Sequence, residues 1–313
     1  MSLDTKMILV GIFSYNEGEN LRNMYNEIKK QRKGLECKIV LVDESDDPES
    51  VAIVKEILLE DNVELLTHSR RGKVYGYNVL YDHFLSNDYD ILLHFDTNHL
   101  LSDKAVFYLA NSIESGYDIS TCFNKPMRPL NFFQRVLYIM HMPPSVLCEK
   151  GDFDFPLVGH DGAYNRKAVE SIGKIPIGGI NEEIYVLSKV LTRILSHTIV
   201  KNTISYFALP STLFDYIRGT RRICGRLKAY EERYYNTGAT KGIKRNSDPI
   251  VKSIYSRPPL KLILKSLFSD PVAAVFVPFV FIVRYIIMNS SKVYDSDTWE
   301  MVETTKTLKE RPV

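Results

Sequence analysis

The sequence predicts an α/β protein built on a mostly parallel, Rossmann-like sheet flanked by helices. Three observations carry that expectation. Short, continuous apolar runs alternate with segments of helical periodicity through the first 120 residues, as in parallel strands joined by crossover helices. Three of those runs end in the polar clusters SYNEGEN, DESDD and DTNH, and such sheets bind ligands at the carboxyl ends of their strands. The chain has 313 residues, 45% of them hydrophobic and 25% charged. That composition builds a sizeable core and excludes collagen-like, low-complexity and disordered architectures.

The elements follow in order. Residues 7–13 form an apolar run of strand length, and Asn16 with Glu19 makes a capping-box-like start for a helix carrying Leu21, Met24 and Ile28. Residues 38–42 are a second strand ending at Asp43, 48–60 a helix and 63–66 a third strand. Residues 72–85 are a helix, 91–95 a fourth strand ending at Asp96, 102–115 a helix and 118–123 a fifth strand. Beyond residue 125 the regularity breaks. Residues 130–142 concentrate large apolar side chains, and 155–165 are glycine-containing and polar-tipped. Residues 182–195 read as a helix, 198–206 as a strand, 211 to about 235 as a long basic helix and 245–259 as a linker.

A net charge of +2 hides an asymmetry. Between residues 217 and 265, thirteen Lys and Arg face three Asp and Glu, a local charge of +10 that leaves −8 elsewhere. Such a block implies an anionic partner. The most apolar stretch, residues 271–288, follows at once with Arg284 as its one charge, which favours a membrane surface over nucleic acid. A helix over the 17 residues after Pro271 is about 26 Å long, against a hydrocarbon core of about 30 Å. Pro278 is tolerable in a membrane helix, and Arg284 can snorkel. Upstream, Leu260, Leu262, Ile263, Leu264, Leu267 and Phe268 interleave with Lys261 and Lys265, as in an interfacial helix. Whether 271–288 spans the bilayer, lies on it or fills a soluble core stays open. The four cysteines (Cys37, Cys122, Cys148, Cys224) hold no CxxC pair and fit a reducing compartment. The N-terminus reads as the start of a fold rather than a signal peptide.

Two nucleotide signatures are absent: no GxGxxG follows the first strand and no GxxxxGK[ST] occurs, which argues against dinucleotide-binding and P-loop chemistry. In Asp96-Thr97-Asn98 a strand-end carboxylate has a second oxygen ligand two residues on, a set suited to Mg²⁺ or Mn²⁺ against a diphosphate; an Asx turn is the plain alternative. Asp43 to Asp47 crowds four acids after a strand, where an aspartate can accept from a base or a ribose, or where a solvated turn can sit. Glu182 and Glu183 open a helix, as a general base for a hydroxyl or as complements to the helix dipole. Arg70-Arg71-Gly72-Lys73 at a helix N-terminus suits phosphate. His68, His94, His99 and His160 show no HxxxH pattern and read as structural, with His99 and His160 beside the site.

In series, SYNEGENL, LVDESDD, RGKVYGYNVL, HFDTNHLLSD, VGHDGAYNRKAVESIG and NEEIYVLSKVL resemble glycosyltransferase family 2, whose members have the GT-A fold and use nucleotide-sugar donors. The resemblance covers roughly residues 7–235. It implies a donor pocket at Ser14, Tyr15 and Glu17, a nucleobase contact at Asp43, and further donor contacts at Lys73, Asn78, Asp96, Thr97, Asp161 and Gly162. It places the metal motif at Asp96 and Asn98. The catalytic base is Glu183, or Glu182 in a shifted register. Arg218, Arg221 and Arg222 are expected to meet a lipid phosphate or the donor diphosphate, and Phe132, Phe133 and Leu137 to line an apolar route. The chain departs from the family at DTN, where DxD is usual, at the glutamate base, and at Gly219 to Ile223, where processive members carry QxxRW; only the arginine survives there.

The expected activity is inverting, divalent-cation-dependent (Mn²⁺ or Mg²⁺) transfer of a single sugar from a UDP- or GDP-sugar. The acceptor is lipid-linked or a glycan, at a membrane surface, with the catalytic domain cytoplasmic and no nucleic-acid partner. The catalytic domain is expected over residues 1–236, split into a nucleotide-binding half (1–123) and an acceptor-binding half (124–236). Residues 237–313 then form a basic linker and a C-terminal membrane-associated helical region. The alternatives are a degenerate transferase fold serving as a nucleotide-binding scaffold, and a sugar nucleotidyltransferase.

Overall fold

A computed structural model describes residues 3, 6–32, 34–67, 72–150, 161–177, 182–193, 195–230 and 260–290. The strands are β1 (Ile8–Ser14), β2 (Cys37–Asp43), β3 (Val63–Thr67), β4 (Ile91–Asp96), β5 (His99–Leu101), β6 (Ile119–Pro126), β7 (Gly162–Asn165) and β8 (His197–Phe207). The helices are α1 (Glu19–Gln31), α2 (Pro48–Ile57), α3 (Lys73–Leu85), α4 (Ala105–Glu114), α5 (Phe132–Lys150), α6 (Arg166–Ile172), α7 (Glu182–Arg193), α8 (Leu213–Tyr230), α9 (Leu260–Ser269), α10 (Pro271–Ala274) and α11 (Val277–Ser290).

The strands form one sheet in the order β3-β2-β1-β4-β7-β6-β8-β5. The first four neighbours are parallel, and β7 and β5 run against theirs. All residues of β1 and β4 are buried, because helices cover both faces and alternate side chains feed opposite cores. Ile8, Val10 and Ile12 point toward α1, α2 and α4. Leu9, Val40 and Leu92 point toward α3, α6 and α7. This double burial makes the parallel strands read as unbroken apolar runs.

The two antiparallel strands are additions to the sequence expectation. β7 has four residues and inserts between β4 and β6. A Cβ on its Gly162 would lie 2.7 Å from the Ser120 carbonyl oxygen, so the close β6–β7 approach needs glycine. Asp118 ties this corner together. Its carboxylate accepts from Asn165 Nδ2 (3.0 Å), Lys167 Nζ (3.0 Å) and the Ser196 backbone N–H (2.8 Å). Burial opposes its charge, but these bonds bring its pKa down to about 2.

A third core forms among the later helices, with Phe207 of β8 packed against it. Val136 and Leu137 of α5, Tyr216 of α8, Ala273 of α10 and Val277 and Val280 of α11 bury one another. Helix α5 continues through Pro143 and Pro144, past the expected apolar run. Pro143 has no N–H to give the Ile139 carbonyl one turn back, and Ser266 Oγ of α9 donates to that carbonyl at 2.8 Å. The apolar stretch expected over 271–288 is broken at Val275 and Phe276 into α10 and α11. The long basic helix is described to Tyr230; residues 231–259 and the expected linker within them lie outside the described residues.

Candidate active site

Parallel pairing brings the three polar clusters to one edge. Ser14 pairs with Asp43, and Phe13 with Asp96, so β1, β2 and β4 end level. The Asp43 carboxylate accepts from the Ser45 backbone N–H (3.0 Å) and hydroxyl (2.7 Å). Burial pushes its pKa up, and the two Ser45 bonds act in the opposite sense. Asn16 differs from the expectation. Helix α1 starts at Glu19, with Gly18 as N-cap at φ 50° and no side-chain cap. Asn16 itself adopts φ 52°. Its amide group donates to Asp46 Oδ1 (2.6 Å) and accepts from the backbone N–H groups of Asp46 (2.9 Å) and Asp47 (3.2 Å). The acid-rich loop after β2 needs donors, and Asn16 serves it instead of the helix. Tyr15 is buried beside it, and Glu17 accepts from Asn20 Nδ2 at 3.2 Å.

The centre is a chain of alternating charges. Lys73 Nζ at the start of α3 donates to Asp96 Oδ2 at 2.5 Å and lies 3.5 Å from Glu182 Oε1 at the start of α7. Arg226 Nη1 on α8 lies 3.7 Å from Glu182 Oε2. All four groups are buried, where unpaired charges are costly and alternation balances them. Burial works against the Lys73 ammonium, but Asp96, Glu182 and Glu183 outweigh it and hold its pKa above the usual lysine range. Glu183 is only half-buried and lies close enough to Lys73 and Tyr164 to influence both.

Asp161 supports the Asp96 backbone from the other side. Its Oδ1 accepts the Asp96 N–H at 2.9 Å. Its Oδ2 contacts His99 Nδ1 at 2.6 Å and accepts from Ser205 Oγ. Burial opposes its charge; His99 and Ser205 prevail and hold the carboxyl below the usual range. Thr97 Oγ1 donates to the Phe13 carbonyl at 3.0 Å, which fixes the turn after β4. That turn leaves Asn98 half-buried, two residues from Asp96. Among the described residues, no group of three or more His, Cys, Asp and Glu forms a metal cage. Asp96 and Asn98 would offer two oxygen donors at the end of β4. That number fits an ion that takes its remaining ligands from a bound diphosphate and water.

Other expected residues fall elsewhere. Both polar atoms of the Asn78 side chain bond the Ile175 backbone at 2.7 Å, so this side chain anchors the loop after α6. Gly162 lies within β7 beside Asp161. Arg221 is exposed, while Arg218 and Arg222 are half-buried, and Arg218 stacks over Phe214 at 4.8 Å. Arg226 and Ser205 were missed in the sequence. Arg226 extends the Arg218–Arg222 spacing by one more step of four, which puts all three on one helix face. That was its legible signal. Ser205 had none, because it takes the β8–β5 pairing to bring it to His99 and the insertion of β7 beside β6 to bring Asp161. Arg70, Arg71, His68, His160 and Asn181 lie outside the described residues.

A mostly parallel sheet with flanking helices, its polar strand ends gathered at one carboxyl edge, has the GT-A architecture of nucleotide-sugar glycosyltransferases. The chain belongs to the family described as glycosyl transferase family 2, whose model matches residues 9–173. Among solved structures it is similar to the mannosyltransferase PcManGT from Pyrobaculum calidifontis, in complex with GDP-Man and Mn²⁺. The TM-score is 0.57 at 16% identity, over 92% of this chain and 85% of that one. A mycobacterial protein gives 0.48 at 15% identity over 72% and 74%. S. aureus TarS gives 0.47 at 13% identity over 88% of this chain and 55% of its own. No curated protein matches at a significant level.

Proposed function

We propose that this glycosyltransferase moves a single sugar, with inversion, from a nucleoside-diphosphate sugar to a hydroxyl or phosphate acceptor at a membrane surface. The observation that carries the reading is the alternating chain Asp96–Lys73–Glu182–Arg226 at the carboxyl edge of the parallel strands. Asp43 faces the nucleobase or ribose from β2. Lys73 and Arg226 offer positive charge toward a diphosphate, and Asp96 with Asn98 would hold a divalent cation, Mn²⁺ or Mg²⁺. When bound, that cation neutralises charge on the departing nucleoside diphosphate.

Glu183 takes the proton from the acceptor as it attacks the anomeric carbon. Glu182 lies between Lys73 and Arg226, whereas Glu183 is half-buried within range of Lys73 and Tyr164 and is the carboxylate left to meet an acceptor hydroxyl. Asp161, with His99 and Ser205, positions the Asp96 backbone. Arg218 and Arg222 continue the cationic face of α8 and suit the phosphate of a lipid-linked acceptor.

Thermal stabilisation by UDP, GDP, CDP and dTDP, each with and without Mn²⁺ or Mg²⁺, tests the donor site. The GDP-Man and Mn²⁺ held by the Pyrobaculum protein put GDP with Mn²⁺ first in that panel. A metal-dependent shift with one nucleotide, lost in Asp96→Asn, is expected. Glu183→Gln keeps that shift and loses turnover by about 10²–10⁴-fold. The absence of any shift in folded protein overturns the donor-site assignment.

A further inference from the structure

The last three described helices, α9–α11, bury some of their apolar side chains and expose others. Ala273, Val277 and Val280 pack against Val136, Leu137 and Tyr216. Others are exposed: Phe268 78%, Val275 74% and Tyr285 70%, with Phe279, Ile282 and Ile286 of α11 exposed as well. A face of this kind on a soluble monomer marks an interaction surface. Pro271–Ser290 is 20 residues long and apolar enough to cross a membrane by length and composition. Its packing argues against crossing. Arg135 of α5 forms a two-pronged ion pair with Asp270, at 2.6 and 2.9 Å. Ser266 bonds the Ile139 carbonyl. Helix α11 runs against α8, which carries Arg218, Arg222 and Arg226. To cross a bilayer, α11 must carry those arginines into hydrocarbon or strip its buried stripe from α5 and α8.

The remaining geometry is in-plane, and the charge around it names the occupant. Lys261 and Lys265 of α9 are exposed next to the apolar face, and they end the block of thirteen basic residues between 217 and 265. Phenylalanines and a tyrosine on one side with lysines at the rim are the composition of a helix lying in the headgroup region of an anionic bilayer. We propose that α9–α11 form a monotopic seat on an anionic phospholipid bilayer, with both ends of α11 on the same side and no crossing at α10–α11. This deepens the proposed action at a membrane surface and does not rest on the sugar chemistry.

The test uses the full chain with Cys148 and Cys224 replaced by serine, carrying Ser269→Cys or Asn289→Cys. Each variant is bound to preformed phosphatidylcholine vesicles with or without phosphatidylglycerol. The expected result is binding about tenfold tighter with phosphatidylglycerol, and labelling of both positions by a membrane-impermeant maleimide added outside. Phe279→Ser with Ile282→Ser is expected to weaken vesicle binding by at least about tenfold, while the nucleotide-induced thermal shift is unchanged. Protection of one of the two positions until detergent is added overturns the seat in favour of a crossing. Absence of vesicle binding, with self-association removed by the same double substitution, overturns it in favour of a second copy. Nucleotide shifts read on the same preparations separate failure of the seat from failure of the donor site.

Discussion

The β1–β4 half of the sheet and the C-terminal helices α9–α11 spend similar apolar residues in opposite ways. In β1 and β4 every side chain is buried between two helical layers. In α11 only a stripe is buried, and Phe279, Ile282 and Tyr285 stand in the open. The difference teaches that apolar content alone does not say what covers a surface. The strands are covered by the chain's own helices. The outer face of α9–α11 has no cover within the described residues, and the proposed seat would set it on lipid.

This contrast is open to measurement. Phe95→Ala in β4, where the ring is fully buried, is expected to lower unfolding free energy by about 3–5 kcal/mol, read from denaturant midpoints at constant slope. A loss near that for an exposed ring would break the distinction. Acid has the next largest effect, and it acts on the sheet side. His197 on β8 lies 3.1 Å from Thr121 Oγ1, and burial brings its pKa down from 6.5 to about 4. The unfolded chain takes up this proton first, so the contribution is full above pH 6.5 and is lost as pH falls toward 4. Thermal midpoints should fall across that window, and His197→Gln should flatten the fall.

Ser266→Ala sharpens the comparison from the other side. It leaves the carbonyl freed by Pro143 without its donor and is expected to cost about 1–3 kcal/mol, with faster hydrogen exchange in α9 than in β1. The smallest effect is expected from Phe279→Ser: a stability change within about 0.5 kcal/mol in detergent-free solution. A large destabilisation there would mean that the ring belongs to a core and not to a docking face.

Particular residues show how much was legible. The parallel half was legible because burial on both faces leaves uninterrupted apolar runs, each punctuated by a polar strand end. Asp43, Lys73, Asp96 and Glu182 could be located because they sit at those ends and at helix starts. Strands β5 and β7 were not legible: three or four residues carry no periodicity, and their pairing partners lie far along the chain. Asn16 looked like a helix cap because local spacing allowed it, yet the acids after β2 compete for its amide. Asn78 matched a motif, but the Ile175 backbone claims both of its polar atoms.

The sequence by itself determined the α/β class and the edge where the polar strand ends gather, because these follow from periodicity and strand endings, and its motif series resembled the family to which the chain belongs. Tertiary structure alone decided which charges meet. Arg226 reaches Glu182, Asp161 braces Asp96 through its backbone, and α11 lies along α8, because each contact joins segments that no local pattern relates. A pair held at 3 Å by packing across the fold leaves no mark in the spacing of either partner.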